Sequence, residues 1–194
     1  MNDSNDQPPP ALDLGQLMKR LNVEGDRKYP PVHLWEPDFC GDLDIRIARD
    51  GTWFYLGTPI GRMPMVKLFS SVLRHDEDGR HYLVTPVEKI GITVDVAPLL
   101  ITEMERSGSG KDQVIGFRTL VDDFCTLDDD HPLSVSIDPE TGEPTPLVLV
   151  RDRLQGLIRR VTFYEMVDIS EEMETEHGPV YGVWSAGKFH IIGR

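Results

Sequence analysis

The side chains best suited to chemistry lie on two neighbouring predicted strands that flank the pair Asp50-Gly51. This pair is typical of a two-residue type I′ turn, in which both central residues need a positive φ. Such a turn would place Arg46 directly opposite Tyr55 on one face of the hairpin, with Trp53 diagonal to them. The other face would be a plain apolar core face, formed by Ile45, Ile47, Phe54 and Leu56.

A guanidinium group beside two aromatic rings suits a planar, anionic ligand. Flat rings stack on Trp or Tyr, and Arg forms charge-assisted hydrogen bonds to phosphate or carboxylate worth about 1.5–3 kcal/mol. Thr58 and Arg62 follow in the loop that enters a predicted helix, where backbone N–H groups also favour an anion. The other interpretation is that Trp53 and Tyr55 pack beneath the second half of the chain while Arg46 pairs with a carboxylate.

A second group of arginines surrounds the start of another predicted helix. Apolar residues at helical spacing predict helices over 63–74 and 154–164, and one constant offset aligns their patterns and also aligns Arg62 with Arg151. Arg151 is therefore a candidate for a further contact to the same anion, whereas Arg159 and Arg160 are expected to pair with acidic loops at the surface. The candidate ligand-binding residues are Arg46, Trp53, Tyr55, Thr58, Arg62 and Arg151.

Known catalytic and metal-binding motifs do not match this sequence. The stretch from Gly108 to Lys111 imitates a phosphate-binding loop, but Asp112 follows the lysine where Ser or Thr is needed, so a hairpin loop is predicted. The histidines lack HExxH spacing, and Cys40 and Cys125 lack a nucleophile signature. A hydrolase triad assembled from distant residues stays open. The sequence thus predicts no cofactor and no metal site, and gives no positive evidence for an enzyme.

Composition narrows the class of protein. Among 194 residues, 33 acidic and 20 basic side chains give a formal net charge of −13. This charge argues against nucleic acid or an acidic membrane as a partner, because polyanions are repelled. No apolar run approaches the roughly 18 residues of a membrane span, and two cysteines are too few for a disulfide framework. A cytoplasmic protein is expected.

The order of predicted elements indicates an α+β fold of two small β-rich domains with antiparallel sheets. Residues 1–11 are predicted to be a disordered tail, residues 12–96 an N-terminal α+β domain, and residues 97–194 a C-terminal β-rich domain with one long helix. The aligned helices, together with a match between Gly51–Gly57 and Gly187–Gly193, indicate repeated hairpin-plus-helix motifs, unless the amphipathic patterns match by chance. A short docking helix would begin the first domain, through Leu12, Leu14, Leu17, Met18 and Leu21.

The block from Cys40 to Arg62 resembles an uncharacterised bacterial family, the domain-of-unknown-function family 1285. The stretches 68–70 and 85–89 and the ending from Gly182 to Phe189 are also similar to it, so the resemblance covers about residues 12–193. It implies two domains with repeated motifs, the second superficially like pleckstrin-homology folds. It also implies a ligand site at the domain interface that would take a nucleotide-based molecule, and a role in signalling.

The sequence therefore favours a non-catalytic ligand-binding or sensory protein, with an anionic ligand between its two halves. The alternative is a protein–protein interaction module that binds a basic or strand-donating partner through its sheet edges or acidic surface.

Overall fold

The computed structural model describes residues 29–194, and the predicted tail and docking helix lie outside the described residues. The first half of this region forms a six-stranded sheet and the second half another, with a smaller three-stranded sheet at the end of the chain. The fold is α+β and mostly β-sheet. None of the helices in residues 29–194 is long and apolar enough to cross a membrane.

The first sheet consists of two three-stranded meanders joined by a helix. Its strands are β1 (Phe39–Ile47), β2 (Trp53–Tyr55), β3 (Thr58–Pro59), β4 (Leu73–His75), β5 (His81–Val84) and β6 (Lys89–Val94). Helix α1 (Met63–Ser71) connects the meanders, and its buried Phe69 faces the sheet's core. The spatial order is β3-β2-β1-β6-β5-β4, in which β1 and β6 pair in parallel and all other neighbours pair antiparallel.

The second sheet repeats this topology. Its strands are β7 (Leu99–Ser107), β8 (Val114–Thr119), β9 (Phe124–Thr126), β10 (Leu133–Ile137), β11 (Pro144–Arg151) and β12 (Leu154–Ile158). Their order, β10-β11-β12-β7-β8-β9, is that of the first sheet read from its other end with six added to each strand number. The parallel pair is again the first strand with the last, here β7 with β12. The sheets are therefore antiparallel, as predicted, except at this one central pair in each.

The second helix lies later in the chain than predicted. Residues Leu154–Ile158 form strand β12, and helix α2 begins only after it (Arg160–Asp168). The prediction of one long helix from Leu154 was wrong because a short apolar run fits a buried strand as well as a helix face. Pairing beside β7 decides for the strand: a Cβ on Gly156 would lie 2.9 Å from a side-chain atom of Ile101, so glycine permits the close approach.

The last three strands form the small antiparallel sheet: β13 (Glu171–Thr175), β14 (Gly178–Ser185) and β15 (Lys188–Gly193). The predicted closing hairpin is thus confirmed. The stretch after Gly108 is also a hairpin loop, as predicted, and connects β7 to β8 through one 3-10 turn.

The register of the first hairpin differs from the prediction by one residue. The observed pairs are Ile45 with Tyr55, Arg46 with Phe54 and Ile47 with Trp53. Of the two turn residues only Gly51 has a positive φ (+82°). The loop therefore has three residues, with the N–H of Gly51 bonded to the carbonyl of Ala48 at 2.9 Å, and this is the turn-plus-bulge alternative to the type I′ turn.

The shifted register leaves the side chains of β1 on their predicted faces and moves those of β2 to the opposite ones. Ile45, Ile47 and Trp53 are buried together in the core, whereas Arg46 and Phe54 face outward. Leu56, predicted to be part of the core, is 63% exposed.

Candidate ligand-binding site

The arginine–aromatic platform predicted on the first hairpin does not form. Trp53 is only 3% exposed, and its ring stacks on Phe69 of α1 with centroids 6.2 Å apart. Tyr55 is half-buried against the same core. Arg46 lies on the other face, 3.5 Å from the carboxylate of Asp95 and above the ring of Phe54. The indole is therefore a core group, and Arg46 is paired with a carboxylate.

Thr58 and Arg62 lie at the surface, in β3 and at the residue before α1. Arg62 is the N-cap residue of that helix and makes no hydrogen bond from its side chain to the helix. Neither of them lines either of the two cavities described below, and neither do Arg46 and Trp53.

Arg151 joins the two halves of the protein. Its guanidinium lies 3.1 Å from the carboxylate of Asp123 and donates a 2.6 Å hydrogen bond to the carbonyl of Ser70, near the end of α1. The hydroxyl of Tyr29 donates to the same carboxylate, and the Arg151 guanidinium lies over the tyrosine ring. Burial and the hydrogen bond to Asp123 raise the pKa of Tyr29 above its ordinary value. The contacts of Arg151 are thus structural, although it was predicted to bind a ligand.

A cavity of about 890 Å³ lies between the two halves, lined by none of the six predicted ligand-binding residues. The first half contributes the loop of the first hairpin, with Arg49 and Asp50, and the second half contributes the start of α2, with Arg159 and Arg160. Loop residues 141–144 form one wall. The apolar part of the lining includes Leu100, Leu120, Leu157, Ile158 and Phe163.

The three arginines of this cleft differ in how they are held. Arg160 donates a 2.8 Å hydrogen bond from Nε to the hydroxyl of Tyr164, one turn along α2. Arg49 lies 3.2 Å from the carboxylate of Glu143, across the boundary between the halves. Arg159 is exposed, and within residues 29–194 its side chain has no hydrogen-bond or ion-pair partner. One cationic group is therefore available to a ligand without breaking an existing contact.

The helix start adds to the positive potential of the cleft. Arg159 is the N-cap residue of α2, and no side chain caps the helix there. The unpaired N–H groups of a first turn carry a partial positive charge, which favours an anion.

Three arginines face two carboxylates in the cleft lining, Asp50 and Glu143. The backbone N–H of Thr52 donates to Asp50 and holds the pKa of that carboxyl below its ordinary value, so it is charged at neutral pH. The lining is net positive within a chain of net charge −13. Because field lines concentrate in clefts, this local excess of positive charge favours anions there, although the chain as a whole is negatively charged.

Sequence reasoning missed these residues, although it had noticed two of them. It assigned Arg159 and Arg160 to surface pairs because no local pattern shows which loop lies opposite them. Their position at a strand-to-helix junction is the signal that could have found them, since a helix that begins with uncapped N–H groups beside cations is a common anion-binding arrangement.

A second cavity, of about 810 Å³, also lies between the halves but offers fewer available charges. Arg74 and Lys89, the two mostly buried cations in its lining, both pair with Asp76, at 2.6 Å and 2.5 Å. Burial of Asp76 raises its pKa, but the hydrogen bonds from these cations outweigh it and keep the pKa below its ordinary value. No group of three or more potential metal ligands occurs in residues 29–194.

Comparison with known families places the chain. The N-terminal domain of DUF1285, described as a domain of unknown function, matches residues 30–97, and the C-terminal domain, described as a protein of unknown function, matches residues 98–192. The chain belongs to the DUF1285 family. The resemblance stated from the sequence is thereby confirmed.

Two solved DUF1285 proteins are similar to the chain. The one from Silicibacter pomeroyi DSS-3 is 46% identical with a TM-score of 0.83, over 91% of this chain and 94% of that one. The one from Shewanella baltica OS155 is 26% identical with a TM-score of 0.51, over 65% of this chain and 91% of that one. Comparison with curated proteins gave no match.

Proposed function

We propose that this DUF1285 protein binds a small anionic organic molecule in the cleft between its halves, through Arg159, Arg160 and Arg49. The observation that carries the proposal is that Arg159 has no partner in residues 29–194 while it lines a cavity with two further arginines. An unpaired cation beside other cations gains most from an anionic ligand, because charge-assisted hydrogen bonds are among the strongest that proteins form.

The size and lining of the cleft favour an organic anion over an inorganic one. A volume of about 890 Å³ falls in the range of small-molecule sites and is far larger than a phosphate ion needs. The apolar wall at Leu157, Ile158 and Phe163 suits a ring or hydrocarbon portion. A nucleotide-based molecule combines these two chemistries.

Sensing is part of the proposal because both halves contribute to the cleft. A ligand that binds Arg49 from the first half and Arg159 from the second changes how the halves interact, and such a change is the basis of a signalling role. We also place the protein in the cytoplasm, where Cys40 and Cys125 would remain the free thiols that they are here.

Calorimetric titration with AMP, adenosine and phenyl phosphate tests the proposal. We expect both phosphates to bind and adenosine to bind much more weakly, because it lacks the anion. Arg159→Gln should weaken AMP binding by about tenfold or more, the loss of a hydrogen bond to a charged group. Arg106→Gln is the matched control, since Arg106 is exposed, has no partner in the described residues and lies outside the cleft.

Two results would contradict this function. If neither phosphate binds, the site does not take this class of ligand. If Arg106→Gln weakens binding as much as Arg159→Gln does, the effect is one of general charge and not of the cleft.

A protein–protein interaction module is the second candidate, because α2 exposes an apolar stripe. Val161, Tyr164 and Val167 are 58%, 50% and 44% exposed. Sedimentation of the wild type and Val161→Glu would test the simplest form, association of two copies. Concentration-dependent association that Val161→Glu abolishes would support it, and a monomer at all concentrations would contradict it.

A further inference from the structure

We propose that Glu143 is a latch on the cleft: it occupies Arg49 in the free protein, and an anionic ligand displaces it and releases the loop that carries it. This inference rests on the proposed function and adds a regulatory element to the same site. The contact joins the first hairpin, through Arg49, to the β10–β11 loop of the other half, and both residues line the cleft.

The β10–β11 loop is held together by its own hydrogen bonds. The carboxylate of Asp138 accepts hydrogen bonds from the backbone N–H groups of Glu140 and Thr141, at 2.9 and 2.8 Å, and its carbonyl accepts one from Gly142. All residues from 138 to 143 are exposed. The contact of Glu143 with Arg49 therefore holds a preformed loop against the opposite half.

The latch competes directly with a ligand. Arg49 donates to Glu143 at 3.2 Å and also approaches the hydroxyl of Thr145 at 3.4 Å, so an incoming anion meets a guanidinium that is already occupied. Both side chains of the ion pair are about half-exposed (45% and 53%), which makes the contact weak enough to exchange. Glu143 is thus a competitor attached to the protein itself. It lowers the apparent affinity of every anion that binds Arg49, and the factor is the same for each of them.

Hydrogen exchange of the free protein tests the latch without any ligand. Glu143→Gln removes the charge of the latch, and we expect exchange of the amides in residues 140–143 to rise about two- to fivefold, the range expected for a surface ion pair. Glu140→Gln is the matched control, because Glu140 lies in the same loop and its side chain has no partner in residues 29–194. Equal exchange in wild type and Glu143→Gln would overturn the proposal.

Titration with AMP and phenyl phosphate gives the second arm. Glu143→Gln should bind both about two- to fivefold more tightly than wild type, by the same factor for each, and Glu140→Gln should not. If wild type and Glu143→Gln bind with equal affinity, the latch is wrong and the proposed function stands. If no variant binds either probe, the proposed function is wrong, and the latch as a regulator of it falls too.

Discussion

The two six-stranded sheets share one topology but place their helices differently. In the first sheet, α1 connects the two meanders and packs against the core through Phe69. In the second, residues 127–132 connect the meanders without a helix, and α2 follows the last strand. The same strand order is thus compatible with two different positions of the helix along the chain. The position after the last strand places the start of α2 at the cleft.

The starts of the two helices make the comparison direct. Arg62 and Arg159 are both N-cap residues with non-helical backbone, and neither side chain caps its helix. Only Arg159 faces the cleft between the halves. The same residue type at the same helix position therefore has two environments, and the tertiary structure determines which of the two opens into the cleft.

The largest effect should come from the core of the first sheet. Trp53→Ala is expected to lower the free energy of unfolding by about 3–5 kcal/mol, because it removes a fully packed indole and leaves a cavity beside Phe69. Urea denaturation measures this. Phe54→Ala, on the outward face of the same strand, is the control and should cost clearly less; equal losses would contradict the observed register.

The contact between the halves should come next. Arg151→Ala is expected to cost about 3 kcal/mol in urea denaturation, because Asp123 would remain buried without its cation. Arg153→Ala removes an arginine that is 54% exposed and pairs with an exposed glutamate, and it should cost at most about 1 kcal/mol. If the two variants are equally stable, Arg151 is not the link that its geometry indicates.

The comparison of helix starts predicts a smaller, more selective effect. Arg159→Gln should weaken AMP binding about tenfold, whereas Arg62→Gln should leave the affinity unchanged and neither should unfold the protein. Titration calorimetry of the two variants side by side decides this. An equal loss in both would show that the helix start, and not the cleft, determines binding.

The last effect concerns pH and the first sheet. Burial, followed by the charge of the stacked His75, lowers the pKa of His81 to about 4 from an ordinary value of 6.5. Because the unfolded chain takes up this proton first, the contribution of His81 to stability is complete above pH 6.5 and is lost as the pH falls towards 4. His81→Asn should therefore flatten the decline of the unfolding free energy between pH 6.5 and 4. An unchanged slope would contradict the assignment.

Local patterns predicted much of this fold because hairpins leave local signals. The Asp50-Gly51 pair located the first hairpin correctly, but the same pair is compatible with a two-residue loop and with a three-residue loop. The three-residue loop that forms places Trp53 in the core and not on the predicted ligand-binding face. The α+β class and the closing hairpin followed from strand spacing in the same way.

The cleft could not be predicted, because it depends on which distant loops meet. Arg49 and Arg159 are 110 positions apart in the sequence, and nothing in either neighbourhood specifies the other. Residues Leu154–Ile158 show the same limit on a smaller scale, since pairing with β11 on one side and β7 on the other makes them a strand.

The parallel pairing of first and last strands has a consequence for synthesis on the ribosome. In each sheet the opening strand gains its second neighbour only when the closing strand has been made, so in the first sheet one edge of β1 stays unpaired until Val94 has emerged. Such long-range closure is slow relative to local turns, and the nascent chain must keep the free edge of Phe39–Ile47 away from other chains in the meantime.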